Sequence, residues 1–139
     1  MSVRAFAVVF GVVFLLAGIS GFIPGLSPEH AHPGMVVTSE SRLALGLFPV
    51  NVLHNLVHLA FGAWGLLAAR TVIGSIHYGR GVALIYGLLT VLGLIPATST
   101  TFGLVPIYGN DVWLHAGLAV VAAYFGFLHK RPAGGYSQA

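Results

Sequence analysis

The chain contains no cysteine, and of its 139 residues only three are acidic and six are lysine or arginine. Without cysteine there is no disulfide, no thiolate metal site and no covalently attached c-type haem. Charged residues make up 6% of the chain, against roughly a quarter in soluble domains, too few to build a water-facing surface. Nucleophile elbows, phosphate-binding glycine loops and paired carboxylates are also missing, so no enzyme signature is present and a non-enzymatic role is expected.

What is present is apolar: 57% of the residues are hydrophobic and the mean hydropathy is +0.92. Four stretches approach the ~20 helical residues that cross a hydrocarbon core: residues 5–23, 48–69, 81–97 and 112–128. The expected fold is therefore all-α, an integral membrane four-helix bundle forming a single four-span domain. The third and fourth stretches are short, which predicts tilt or local thinning of the bilayer.

Basic residues orient the spans. Arg4, Arg70, Arg80, Lys130 and Arg131 fall on one side and only Arg42 on the other. The positive-inside rule then places both termini in the cytoplasm, as a multi-pass protein of a bacterial inner or thylakoid-type membrane. Glu29, Glu40 and Asp111 lie on the outer side. The pI near 9.7 reflects this anchoring and does not argue for nucleic acid. The first stretch is longer than the ~7–15 apolar residues of a signal peptide and no A-x-A-like site follows it, so it reads as a retained span.

The long loop after Pro24 carries Glu29, His30 and His32, a run that can touch a metal but equally suits a solvated loop. Trp64, Trp113, His77 and His129 sit where interfacial or packing roles are expected.

The two halves of the chain resemble one another. Gly21-Phe-Ile-Pro24 closes the first span and Gly93-Leu-Ile-Pro96 the third; Gly46-Leu-Phe-Pro49 opens the second and Gly103-Leu-Val-Pro106 the fourth. Sliding by the 57 residues between the last two motifs aligns His54 with Asp111 and His58 with His115. Two helix pairs running the same way imply a pseudo-two-fold axis along the membrane normal.

The chemistry concentrates in span two. Asn51, His54, Asn55 and His58 are i, i+3, i+4 and i+7, one helical face that is costly to turn toward lipid. His54 and His58 are one turn apart, about 6 Å along the axis, a spacing that offers two imidazoles to one metal. Asp111 and His115 repeat that spacing in span four. Three imidazoles and one carboxylate suit Zn, Fe, Cu or Mn better than Mg or Ca, with Asn51 and Asn55 placed to fix the histidine tautomers.

The same residues permit other uses. His58 and His115, at equal depth, can ligate a b-type haem from opposite sides, or either can ligate a chlorophyll, with Gly62, Gly65 and Gly117 leaving room for a flat ring. Histidine and asparagine also serve as hydrogen-bonding glue between membrane helices, and a proton relay is a third use. Asp111 follows Asn110 where a helix begins, a place that favours a capping carboxylate. Tyr86 and Thr90 share a face of span three and add polar candidates to the same interior.

The segments Phe48-Pro-Val-Asn51-Val-Leu-His54-Asn55-Leu-Val-His58-Leu and Asp111-Val-Trp-Leu-His115 resemble a bacterial family of small four-span membrane proteins known only as a domain of unknown function. The resemblance implies four helices with these histidines inside and brings no activity, substrate or cofactor. Two functions then compete. One is an intramembrane metal or tetrapyrrole site between spans two and four. The other is a non-catalytic accessory subunit of a larger respiratory or photosynthetic membrane complex, or a homo-oligomer, with the histidines as glue. A proton or small-solute conduit ranks last, because four short spans leave little room for a path.

Overall fold

A computed structural model describes residues 1–129; Lys130 and Arg131, two of the six basic residues used for orientation, lie outside them. Four helices carry the architecture: α1 (Val3–Ser20), α2 (Val52–Ala68), α3 (Val72–Leu94) and α4 (Asn110–Ala123), the last continuing as a π-helical turn over Tyr124–Leu128. Three of the four, counting α4 with its π turn, are long and apolar enough to cross a membrane; α2 is a shorter apolar helix of 17 residues. Their outer faces expose Leu, Val and Ile along their length, as a lipid environment requires.

Local chemistry sets the helix ends. Ser2, Asn51 and Thr71 each accept a bond from the backbone N–H three residues on, capping α1, α2 and α3. α3 stops at Ile95, which is extended ahead of Pro96. Two boundaries differ from the hydropathy reading. α3 begins at Val72 rather than near residue 81, because Thr71 starts the helix and Arg80 rides on it instead of interrupting it. α2 begins at Val52 rather than 48, because Phe48–Val50 forms a strand.

That strand, β2 (Phe48–Val50), pairs antiparallel with β1 (Arg42–Ala44), Arg42 opposite Val50 and Ala44 opposite Phe48. The turn between them holds Leu45 and Gly46 at positive φ, 54° and 72°. The same left-handed pair recurs at Phe102 and Gly103, with φ of 59° and 85°, at the spacing of the repeated Gly-Leu-x-Pro motifs.

α1 packs chiefly on α2, and α3 on α4. Glycines bring each pair together: a Cβ on Gly62 would lie 2.9 Å from the carbonyl oxygen of Gly11, and one on Gly126 would lie 2.7 Å from the backbone nitrogen of Arg80. At the end of the bundle where α2 meets α3, Arg4 donates to the carbonyl of Ala69 at 2.8 Å and Arg80 to that of Gly126 at 2.9 Å. Each guanidinium thus meets carbonyls left open at the end of its partner helix. Between the pairs lies an aromatic core of Phe6, Phe14, Tyr78 and Tyr86. The opposite end is closed by two loops, residues 21–51 and 95–109, and the polar stripe of α2 lies directly beneath them.

The loops are stitched to each other. Buried His32 donates from Nε2 to the carbonyl of Arg42 (2.9 Å) and accepts at Nδ1 from the Tyr108 hydroxyl (2.9 Å). Burial pushes the His32 pKa down, opposed in part by the Arg42 carbonyl. The unfolded chain therefore takes up a proton near pH 6.5 that the folded chain resists. Stability is expected to be flat above that pH and to fall as pH drops below it. Thermal unfolding in detergent from pH 7.5 to 5 reads this slope, and His32→Gln should make it shallower by the His32 share, the other buried histidines keeping theirs; equal slopes in both proteins would place the titration elsewhere.

Candidate metal centre

His54 and His58 lie on the inward face of α2, one turn apart, with ring centroids 4.5 Å from one another. Asp111 and His115 lie one turn apart on α4. The bundle brings the two pairs together: the His54 and His115 rings are 6.0 Å apart, and the donor atoms of His54, His58 and His115 all lie within 4.8 Å of one another. Among the described residues this is the only such group of three ligating side chains.

Asp111 stands beside this group, on the side of His54 and His115. Its Oδ2 is 3.3 Å from Nε2 of His115 and 3.9 Å from Nε2 of His54. The carboxylate is 1% exposed, His115 1%, His54 2% and His58 6%. Gly109 precedes α4 at the capping position with no side-chain cap, and neither Asp111 oxygen accepts a hydrogen bond. Capping, one of the roles its position suggests, is therefore not what this side chain does; it points inward to the histidines.

The His54 ring is oriented by the backbone rather than by an asparagine. The Pro49 carbonyl faces Nδ1 of His54 at 3.2 Å. A carbonyl only accepts, so the tautomer that satisfies it carries the proton on Nδ1 and leaves Nε2 as a lone pair on the side of Asp111. Asn51 is spent elsewhere: its oxygen caps α2 at the His54 N–H and its amide donates to the carbonyls of Val37 and Leu104. Asn55 is fully buried against Gly21 with neither amide atom hydrogen-bonded. Neither asparagine bonds an imidazole. The Pro49 carbonyl was not foreseen, although a proline five residues before a histidine, just outside a helix, was visible in the sequence.

Aromatic rings wall the cluster. Tyr86 stands perpendicular to His115 at 4.8 Å, and Phe14 lies 5.7 Å from His58. Thr90 turns away and bonds the Tyr86 carbonyl at 2.8 Å.

The loop histidines do not join this group. Glu29, His30, His32, Glu40 and Arg42 line an open cleft of about 510 Å³ at the surface. There Arg42 engages Glu40 at 2.9 Å and Glu29 at 3.8 Å, so the carboxylates face a cation already. Trp113 is exposed on the outer side of α4, and Trp64 packs edge-on to Tyr78.

Residues 4–128 match the family described as Domain of unknown function (DUF4383). The chain belongs to that family. No curated protein and no solved structure matches it. The DUF4383 match spans all four helices and includes the whole histidine and aspartate cluster, and the family's description assigns neither an activity nor a ligand.

Proposed function

We propose that this DUF4383 protein is a small membrane metal-binding protein that holds one transition-metal ion between α2 and α4, beneath the two loops. His54, His58, His115 and Asp111 supply the donors. The observation that carries this reading is the Asp111 carboxylate, buried with no hydrogen-bond donor and set 3.3 and 3.9 Å from two imidazole nitrogens. A buried carboxylate without donors is costly, and a cation bound by all four side chains removes that cost. Hydrogen-bonding glue fits less well, since Asp111, His58 Nδ1 and both His115 nitrogens bond nothing in the protein.

An ion is favoured over a tetrapyrrole because the His54 ring, 4.5 Å from His58 and 6.0 Å from His115, stands where a macrocycle between those two would have to lie. Imidazole with carboxylate suits Zn, Fe, Cu or Mn. The lipid bilayer houses the bundle. Arg4, Arg70 and Arg80 at the end where α2 meets α3 support cytoplasmic termini, with the metal toward the outer leaflet of a bacterial inner membrane.

Elemental analysis of the protein purified in mild detergent without chelator tests the reading. One ion per chain is expected, without a Soret band. A chain that carries no metal, and whose unfolding temperature does not respond to added Zn, Cu, Mn or Fe, would overturn it; a Soret band lost in both His58→Ala and His115→Ala would replace the ion by haem.

A further inference from the structure

We propose that the two turns at Leu45-Gly46 and Phe102-Gly103 are paired lipid anchors, seated at the boundary between headgroups and acyl chains of the leaflet at the loop end of the bundle. Each turn pushes a large apolar side chain outward. Leu45 and Phe102 hold positive φ, 54° and 59°, a conformation that bulky side chains rarely adopt, and they are 59% and 81% exposed. Val36, whose N–H donates to the Gly103 carbonyl at 2.8 Å, adds another exposed apolar side chain beside the second turn. In water such an arrangement gains nothing; at a lipid boundary each of these side chains leaves water.

Charge, hydrogen bonding and position all select lipid as the partner. No charged residue occurs in 43–50 or in 95–109, whereas Glu29, Glu40 and Arg42 gather in the cleft. The second loop also bonds its hydroxyls to neighbouring backbone. Those of Thr98, Ser99 and Thr101 donate to the carbonyls of Leu92, Pro96 and Val105 at 2.8, 3.1 and 2.8 Å, and that of Thr100 accepts from the Gly103 N–H at 3.2 Å. A loop away from bulk water needs its polar groups satisfied in this way. Both turns are tied to helix starts: Asn110 of α4 donates to the Leu47 carbonyl at 3.3 Å, and Asn51, the cap of α2, to the Leu104 carbonyl at 2.8 Å. Trp113, exposed in the first turn of α4, is the residue type that marks a membrane interface. The turns thus continue the apolar outer faces of the helices, and the cleft alone is left for water.

The chain has no cysteine, so Leu45→Cys, Val36→Cys and Phe102→Cys each offer a single thiol for a nitroxide spin label, at positions exposed enough for the fold to survive the change. Glu29→Cys, in the cleft, is the water-facing reference. The labelled proteins are reconstituted into vesicles of phosphatidylcholine and phosphatidylglycerol, with oxygen as the lipid-soluble relaxant and a nickel chelate, equilibrated across the membrane, as the water-soluble one. Power-saturation EPR is expected to give an oxygen-to-nickel accessibility ratio several-fold higher at positions 45 and 102 than at 29, with 45 and 102 alike and 36 following 102. A ratio at 45 or 102 equal to that at 29 would overturn the proposal, and Val36→Cys decides for the second turn should Phe102→Cys fail to fold. Dipolar broadening that disappears on dilution with unlabelled protein would also overturn it, because a second copy of the chain would then cover the turns.

Discussion

Replacing His115 by alanine is expected to remove metal-dependent stability altogether. An ion that binds the folded chain alone, supplied at about 100 times its dissociation constant, stabilises it by about 2.7 kcal/mol. Loss even of a group that only orients a ligand lowers metal affinity by about 10–100-fold, and His115 is a donor itself, 3.3 Å from Asp111. At the same metal concentration the variant's unfolding temperature should not move. Alanine also leaves a void beside Tyr86, so the metal-free variant is expected to be weaker than the metal-free parent. Asp111→Asn provides the second measurement: it keeps the volume, removes the charge, and should lose most of the metal-dependent shift. His30→Ala, in the loop cleft, should keep all of it. A His115→Ala protein that still gains stability from metal would exclude His115 from the ligand set.

The existence of this cluster was legible because two kinds of signal agree. The 3.6-residue period puts His54 and His58 on one face, and the prolines at 49 and 106 mark equal depth for His58 and His115. Hydropathy alone was enough to count four helices. It misplaced their ends, since Phe48, Pro49 and Val50 are apolar whether they lie in a strand or a helix, and Arg80 lowers local hydropathy while its guanidinium reaches a carbonyl at the helix end. The hairpin turn at Leu45 and Gly46 depends on a positive φ that leucine rarely signals. The asparagines show the limit of face reasoning. Period places Asn51 and Asn55 beside the histidines, but Asn51 bonds Val37 and Leu104, brought in by the loops, and Asn55 packs unbonded against Gly21 at the end of α1. Asp111 has the residue type and position of a cap; only the tertiary contact shows where its oxygens point.

Asn51 carries the second large expected effect. One fully buried side chain performs three tasks: it caps α2 at the His54 N–H (3.0 Å), and it donates to Val37 in the first loop (2.9 Å) and to Leu104 in the second (2.8 Å). Asn51→Ala removes a cap worth about 0.5–2 kcal/mol and two hydrogen bonds worth about 0.5–1.5 kcal/mol each, a loss of roughly 1.5–5 kcal/mol. Serine caps nearly as well as asparagine but cannot reach both loops, so Asn51→Ser should retain the cap and lose only the donated bonds, about half of the alanine effect. Unfolding in detergent micelles separates the two contributions. Serine as damaging as alanine would mean that the cap contributes nothing, and serine as stable as asparagine would mean that the loop bonds do not. The position of His54 depends on the same residue, because the capped turn holds the His54 backbone while Pro49, two residues before the cap, holds its ring. Asn51→Ala should therefore also weaken metal binding, and more than Asn51→Ser does. Equal metal affinity in the alanine variant and the parent would show that the Pro49 carbonyl orients His54 without help from the helix cap.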